Sequence, residues 1–99
     1  MPILRIEHPT ANYEAWKKTF DTDPFDRAAS GVRSYRIMRG NEDPNFVMVD
    51  LEFDTLSEAQ AVEAKLRQLW GRVEKEGLIS SPQARIVETV ETRELAPAR

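Results

Sequence analysis

The chain has 99 residues, 40% of them hydrophobic and 31% charged, with a net charge of −3 and no cysteine. Those values describe one ordinary globular domain with no room for a second core. They exclude disulfides, thiolate chemistry and cysteine metal sites, and they argue against nucleic acid as a main partner because no strong basic block is present.

No apolar run reaches the length of a membrane span, and the opening MPILRIEHP is too short and too interrupted by charge for a signal peptide. No membrane is expected as a partner, and cytoplasmic residence is the default expectation. A chain this small buries only about two thirds of its unfolded surface, so sharing apolar surface with a second copy would help it.

Residues 2–8, PILRIEH, alternate as a strand, with Leu4, Ile6 and His8 on one face and Ile3, Arg5 and Glu7 on the other. Pro9 lacks an amide hydrogen and ends the strand. Thr10 or Asn12 can cap the helix that follows, in which Tyr13, Trp16 and Phe20 form one stripe running to about Asp21. Glu14 and Lys18 stand at i, i+4 in the favourable order for an exposed pair. Residues 21–31, DTDPFDRAASG, read as a turn and a short helix capped by Asp23, started by Pro24 and stopped by Gly31. The three aspartates here do not match a calcium loop, because Phe25 stands where an oxygen ligand is needed.

Val32–Arg39 is a second strand, and Gly40–Asn45 is a turn-rich loop leading into a third, Asn45–Phe53. Val47, Val49, Leu51 and Phe53 form the apolar face of that third strand. Its other face carries Phe46, Met48, Asp50 and Glu52. Thr55 and Glu58 form a capping box for a long helix in which Ala59, Val62, Leu66, Leu69, Trp70 and Val73 keep helical period up to Gly77. Residues 85–92, RIVETVET, alternate as a last strand, and residues 93–99 are a polar tail.

The order β-α-β-β-α-β with right-handed crossovers specifies an α+β, ferredoxin-like fold, with two helices on one face of a four-stranded antiparallel sheet. Residues 1–92 form the single domain. The first and third strands are central, so the face bearing Phe46 and Met48 needs cover. A second copy laid sheet to sheet provides it, burying on the order of 1,600 Å². Asp50 and Glu52 then meet Arg5 and Arg33 or Arg36, with Arg36 the expected partner of Asp50.

The strand ending in His8-Pro9, the helix Asn12-Tyr13-Glu14-Ala15-Trp16-Lys17-Lys18-Thr19-Phe20-Asp21, the hairpin and the long helix carrying Leu69-Trp70 resemble the dimeric α+β barrel superfamily. Within it the chain is similar to the small antibiotic-biosynthesis-monooxygenase-like proteins, over residues 2–92. The resemblance implies a homodimer and a pocket between sheet and helices within each subunit. Its activities span cofactor-independent monooxygenases, haem-degrading enzymes, isomerases, cyclases and ligand-binding modules. The haem-degrading members use an Asn, Trp and His set. Here the sole histidine, His8, ends the first strand instead of lying in the second helix, so that set does not map.

Two functions stay open. One is a cofactor-free oxygenase or cyclase acting on a small aromatic or polyketide-like substrate. His8 or Asp50 is its base, and Trp16, Phe20, Tyr35 and Trp70 line the ligand cleft; no metal or cofactor is called for. The other is a non-catalytic homodimeric ligand-binding or stress-related module. In that reading His8 is a strand-end residue bonded to a loop, Asp50 is half of a structural ion pair, and the tryptophans are core. An open apolar cleft of a few hundred Å³ with His8 in its wall favours the enzyme. A cleft packed shut by Trp16, Phe20 and Trp70 favours the module.

Overall fold

A computed structural model describes residues 1–98. Its elements are β1 (Pro2–Pro9), α1 (Tyr13–Asp21), β2 (Val32–Arg39), β3 (Phe46–Phe53), α2 (Leu56–Lys75) and β4 (Gln83–Glu88). The four strands form one antiparallel sheet in the order β2-β3-β1-β4, so β1 and β3 are central. This is the ferredoxin-like arrangement expected from the element order.

Register decides the two faces. Leu4 stands opposite Leu51, Ile6 opposite Val49 and His8 opposite Val47. These side chains point toward the helices, where Trp16 of α1 and Val62, Leu66, Trp70 and Val73 of α2 complete the core. Leu4, Val47, Phe53 and Val62 are fully buried. Removing the side chain of any of them costs its transfer energy plus a cavity term.

Local chemistry holds the helix starts. Asn12, not Thr10, caps α1, its side-chain oxygen accepting from the Ala15 amide at 3.0 Å. Thr10 instead donates to the Asn45 carbonyl at 2.7 Å. The surface pair on α1 is Lys17–Asp21 at 2.7 Å, not Glu14–Lys18. Thr55 and Glu58 make both bonds of the capping box on α2, and Gly77 follows that helix at φ +78°.

Three expectations require correction. The short helix over residues 23–30 does not form; the segment is a run of turns. Asp23 and Asp26 sit at φ +53° and +49°, and their carboxylates accept from the amides of Arg27 and Ala29. Asp tolerates this conformation because its short side chain satisfies local amides, which competes with helix formation. The last strand is Gln83–Glu88 and not residues 85–92. Its partner β1 begins at Pro2, which pairs with Glu88, so residues 89–92 have no strand to continue along. Asn45 stays outside β3 and accepts from the Tyr13 amide at 3.1 Å through its side chain. Among the described residues no helix is long and apolar enough to cross a membrane.

Candidate functional site

An apolar cavity of about 70 Å³ lies between the sheet and the two helices. Ile6, His8 and Val49 form its floor, Trp16 and Phe20 one wall, and Leu66 and Trp70 another. Strand alternation puts His8 there. It shares parity with Leu4 and Ile6, and at the end of β1 it reaches the side of α1.

His8 is 2% exposed. Its Nδ1 lies 3.1 Å from the Pro9 carbonyl oxygen. A carbonyl only accepts, so Nδ1 carries the proton and Nε2 holds a lone pair. Burial holds the pKa of the ring below its ordinary value, so the imidazole is neutral at pH 7. Nε2 has no hydrogen-bond partner among the described residues, and no side-chain nitrogen or oxygen there is both buried and unpartnered. That atom therefore keeps some accessible surface. The Trp16 ring meets the imidazole edge to face, with centroids 5.8 Å apart and planes at 64°.

The structure brings His8, Trp16, Phe20 and Trp70 together around this cavity and leaves out Asp50 and Tyr35. Asp50 points to the opposite face of the sheet. There Arg5 donates to both its oxygens at 2.9 Å, and Arg36 stands 3.5 Å away. Arg5, opposite Asp50 on β1, is thus the principal partner, and Arg36 is secondary; both pairs lie within one sheet. The Arg5 guanidinium holds the Asp50 carboxylate below the usual range, the reverse of the raised pKa that a base would need. Arg33 pairs with Asp54 at 3.0 Å and not with Glu52. Tyr35 lies on the helix side, its ring 5.2 Å from that of Phe20, but it is 48% exposed and borders a surface groove.

Besides Thr19, Leu78 and Ile79, the sequence reading missed three lining residues of one segment: Pro24, Phe25 and Arg27. All belong to the turn segment between α1 and β2, where no periodicity signals which way a side chain faces. Arg27 donates to the Phe20 carbonyl at 2.9 Å, and its guanidinium lies 3.9 Å from the Phe20 ring centre. Among the described residues no three His, Asp or Glu side chains are gathered where a metal could sit.

The cavity meets one of the two conditions set for an enzyme and misses the other. His8 is in its wall, but its volume is well below a few hundred Å³.

No family model and no curated protein matches the chain. Solved structures do match. A proposed antibiotic biosynthesis monooxygenase from Deinococcus radiodurans is 14% identical, with a TM-score of 0.67 over 98% of this chain and 100% of that one. A variant of SnoaB, a cofactor-independent oxygenase from Streptomyces nogalater, is 11% identical, with a TM-score of 0.69 over 92% of this chain and 95% of that one. A dimeric ferredoxin-like protein from an uncultured marine organism is 14% identical, with a TM-score of 0.63 over 96% of this chain and 100% of that one. At these identities the likeness is one of fold, and it establishes that the chain shares the ferredoxin-like fold of these proteins over 92% or more of its length.

Proposed function

We propose that the protein is a cofactor-independent oxygenase or cyclase that uses His8 as a general base on a small aromatic or polyketide-like compound. The observation that carries this reading is the neutral His8 imidazole in the wall of an apolar cavity between Trp16 and Trp70, with Nδ1 engaged by the Pro9 carbonyl and Nε2 without a hydrogen-bond partner among the described residues. Nε2 takes a proton from an activated C–H, leaving a carbanion delocalised into the ring system of the substrate. In the oxygenase reaction a CH₂ becomes C=O while molecular oxygen supplies one atom to the product and the other to water. The apolar walls keep the carbanion from being reprotonated by solvent. The fold shared with a cofactor-independent oxygenase supports the same reading.

The working unit in this reading is a homodimer joined through the free sheet face. Ile3, Met38, Phe46, Met48 and Val87 lie half-buried there, and of the charges among them Arg5 and Arg36 are paired with Asp50 and Arg85 with Glu7, while Glu52 has no ion pair among the described residues. Paired charges can be covered at lower cost than isolated ones. Structural neighbours described as dimeric ferredoxin-like proteins fit this assembly.

The test is oxygen consumption and product formation with a panel of anthrone-like and hydroquinone substrates. A His8→Gln variant is expected to lose about 10²- to 10⁴-fold in turnover. Full activity in that variant removes His8 as the base. The small volume favours a second reading, a dimeric module that binds a ligand without changing it; binding without turnover across the panel would select it.

A further inference from the structure

The cavity beside His8 holds about 70 Å³, whereas an apolar cavity of about 150 Å³ takes up benzene. An aromatic compound therefore enters only if a wall moves. Leu78 and Ile79, which follow α2 and also line the cavity, are tied down by the Thr10–Ile79 bridge and by backbone bonds of Leu78 to Ala11 and Val73. Of the four remaining walls, three are regular structure. The floor is the central pair of the sheet, and the sides are α1 and α2, all held by continuous backbone ladders. The fourth is the segment 22–31, which contributes Pro24 and Phe25. It is built from turns, with Asp23, Asp26 and Gly31 at positive φ, and has no strand neighbour. It is the wall with the least to lose by moving.

Arg27 fastens that wall. Its Nη1 donates to the Phe20 carbonyl, its guanidinium lies over the Phe20 ring, and the Tyr35 ring is 5.1 Å away. Its Nε stands 3.5 Å from Asp23. The side chain is 14% exposed and borders the cavity on one side and the groove with Arg33, Ser34 and Tyr35 on the other. Nη2 has no hydrogen-bond partner among the described residues. With His8 neutral, Arg27 is the one cation lining the cavity among the described residues.

We propose that Arg27 is the specificity-determining residue of this cavity, which admits flat aromatic compounds bearing a carboxylate or another planar acidic group. The ligand ring takes the space that Phe25 vacates, and the ligand anion takes the Arg27 guanidinium from Asp23. A planar guanidinium against aromatic rings suits bidentate pairing with a carboxylate, and low polarity around it strengthens the pair. Asp23, more exposed than Arg27, returns to water. This assignment rests on the cavity being a ligand site, and its test measures binding rather than turnover.

The two indole N–H resonances, one from each tryptophan of the cavity wall, report occupancy as 2-naphthoate and its neutral isostere 2-naphthamide are titrated in. Wild type is expected to bind the carboxylate about ten-fold tighter or better. Arg27→Gln should abolish that preference while still binding the amide, Arg27→Lys should keep part of it, and Phe25→Ala should tighten both compounds. Equal affinities in wild type, or a preference undiminished in both Arg27 variants, overturn the assignment while leaving the cavity a ligand site. No binding of either compound to wild type or to Phe25→Ala overturns the ligand site and the assignment together.

Discussion

Arg5 holds Asp50 with a two-pronged grip: Nε and Nη2 each donate across 2.9 Å to a different carboxylate oxygen. The two residues face each other directly on the central strands, and Asp50 is 6% exposed beneath the guanidinium. Arg36 adds a longer contact from a side chain that is 71% exposed. Arg5→Ala leaves a buried carboxylate with one distant partner and should cost about 1–3 kcal/mol in urea unfolding. Arg36→Ala should cost less than about 1 kcal/mol. Equal costs would contradict this ranking of partners.

His8 and Asp50 each make stability depend on pH with the same sign. Burial lowers the His8 pKa from 6.5 in the folded chain, so just below that pH the unfolded chain binds a proton that the folded chain refuses. The contribution of His8 is complete above pH 6.5 and is lost as pH falls below it, at up to about 1.4 kcal/mol per pH unit. Arg5 lowers the Asp50 pKa from 3.8, so that contribution is complete above 3.8 and is lost at more acid pH. Melting temperatures at about pH 7.5 and 5.5 should differ in wild type and converge in His8→Gln. A fall of equal size in the variant would assign the acid sensitivity elsewhere.

Gly31 ties the turn segment to the start of α2. It adopts φ +99°, and a Cβ there would lie 2.6 Å from Oε2 of Glu58, whose Oε1 accepts from the Thr55 amide. Gly31→Ala should cost about 1–2 kcal/mol from backbone strain and also disturb the capping box. Thr55→Ala should cost about 1 kcal/mol. Because both act on Glu58, the double variant should lose less than the sum. Strict additivity in denaturant unfolding would show that the cap does not feel Gly31.

The sheet-face dimer predicts a solution mass of twice 11.4 kDa at micromolar concentration. Met48→Lys places a charge in the middle of the half-buried face and should shift the protein to monomer in analytical ultracentrifugation. A wild-type monomer would sink the dimer reading.

The sequence by itself determined the element order, the capping box of α2, and the inward set Leu4, Ile6, His8, Val47, Val49, Leu51 and Phe53; for the cap of α1 it left Thr10 and Asn12 both open. These follow from periods of two and 3.6 residues and from cap chemistry, which act over a few neighbours. It placed His8, Trp16, Phe20 and Trp70 on the helix side for the same reason. Tertiary structure alone decided the rest. Strand register set Arg5 on β1 and Arg36 on β2 both opposite Asp50, and side-chain placement gave Arg5 the two 2.9 Å bonds and Arg36 the longer 3.5 Å contact. The end of β4 depended on where β1 begins. The volume beside His8, and its closure by Phe25 and Arg27, depended on how a turn segment without periodicity folds back over the layer it leaves. Side-chain direction in such a segment is fixed by contacts distant in sequence, and no local pattern records them.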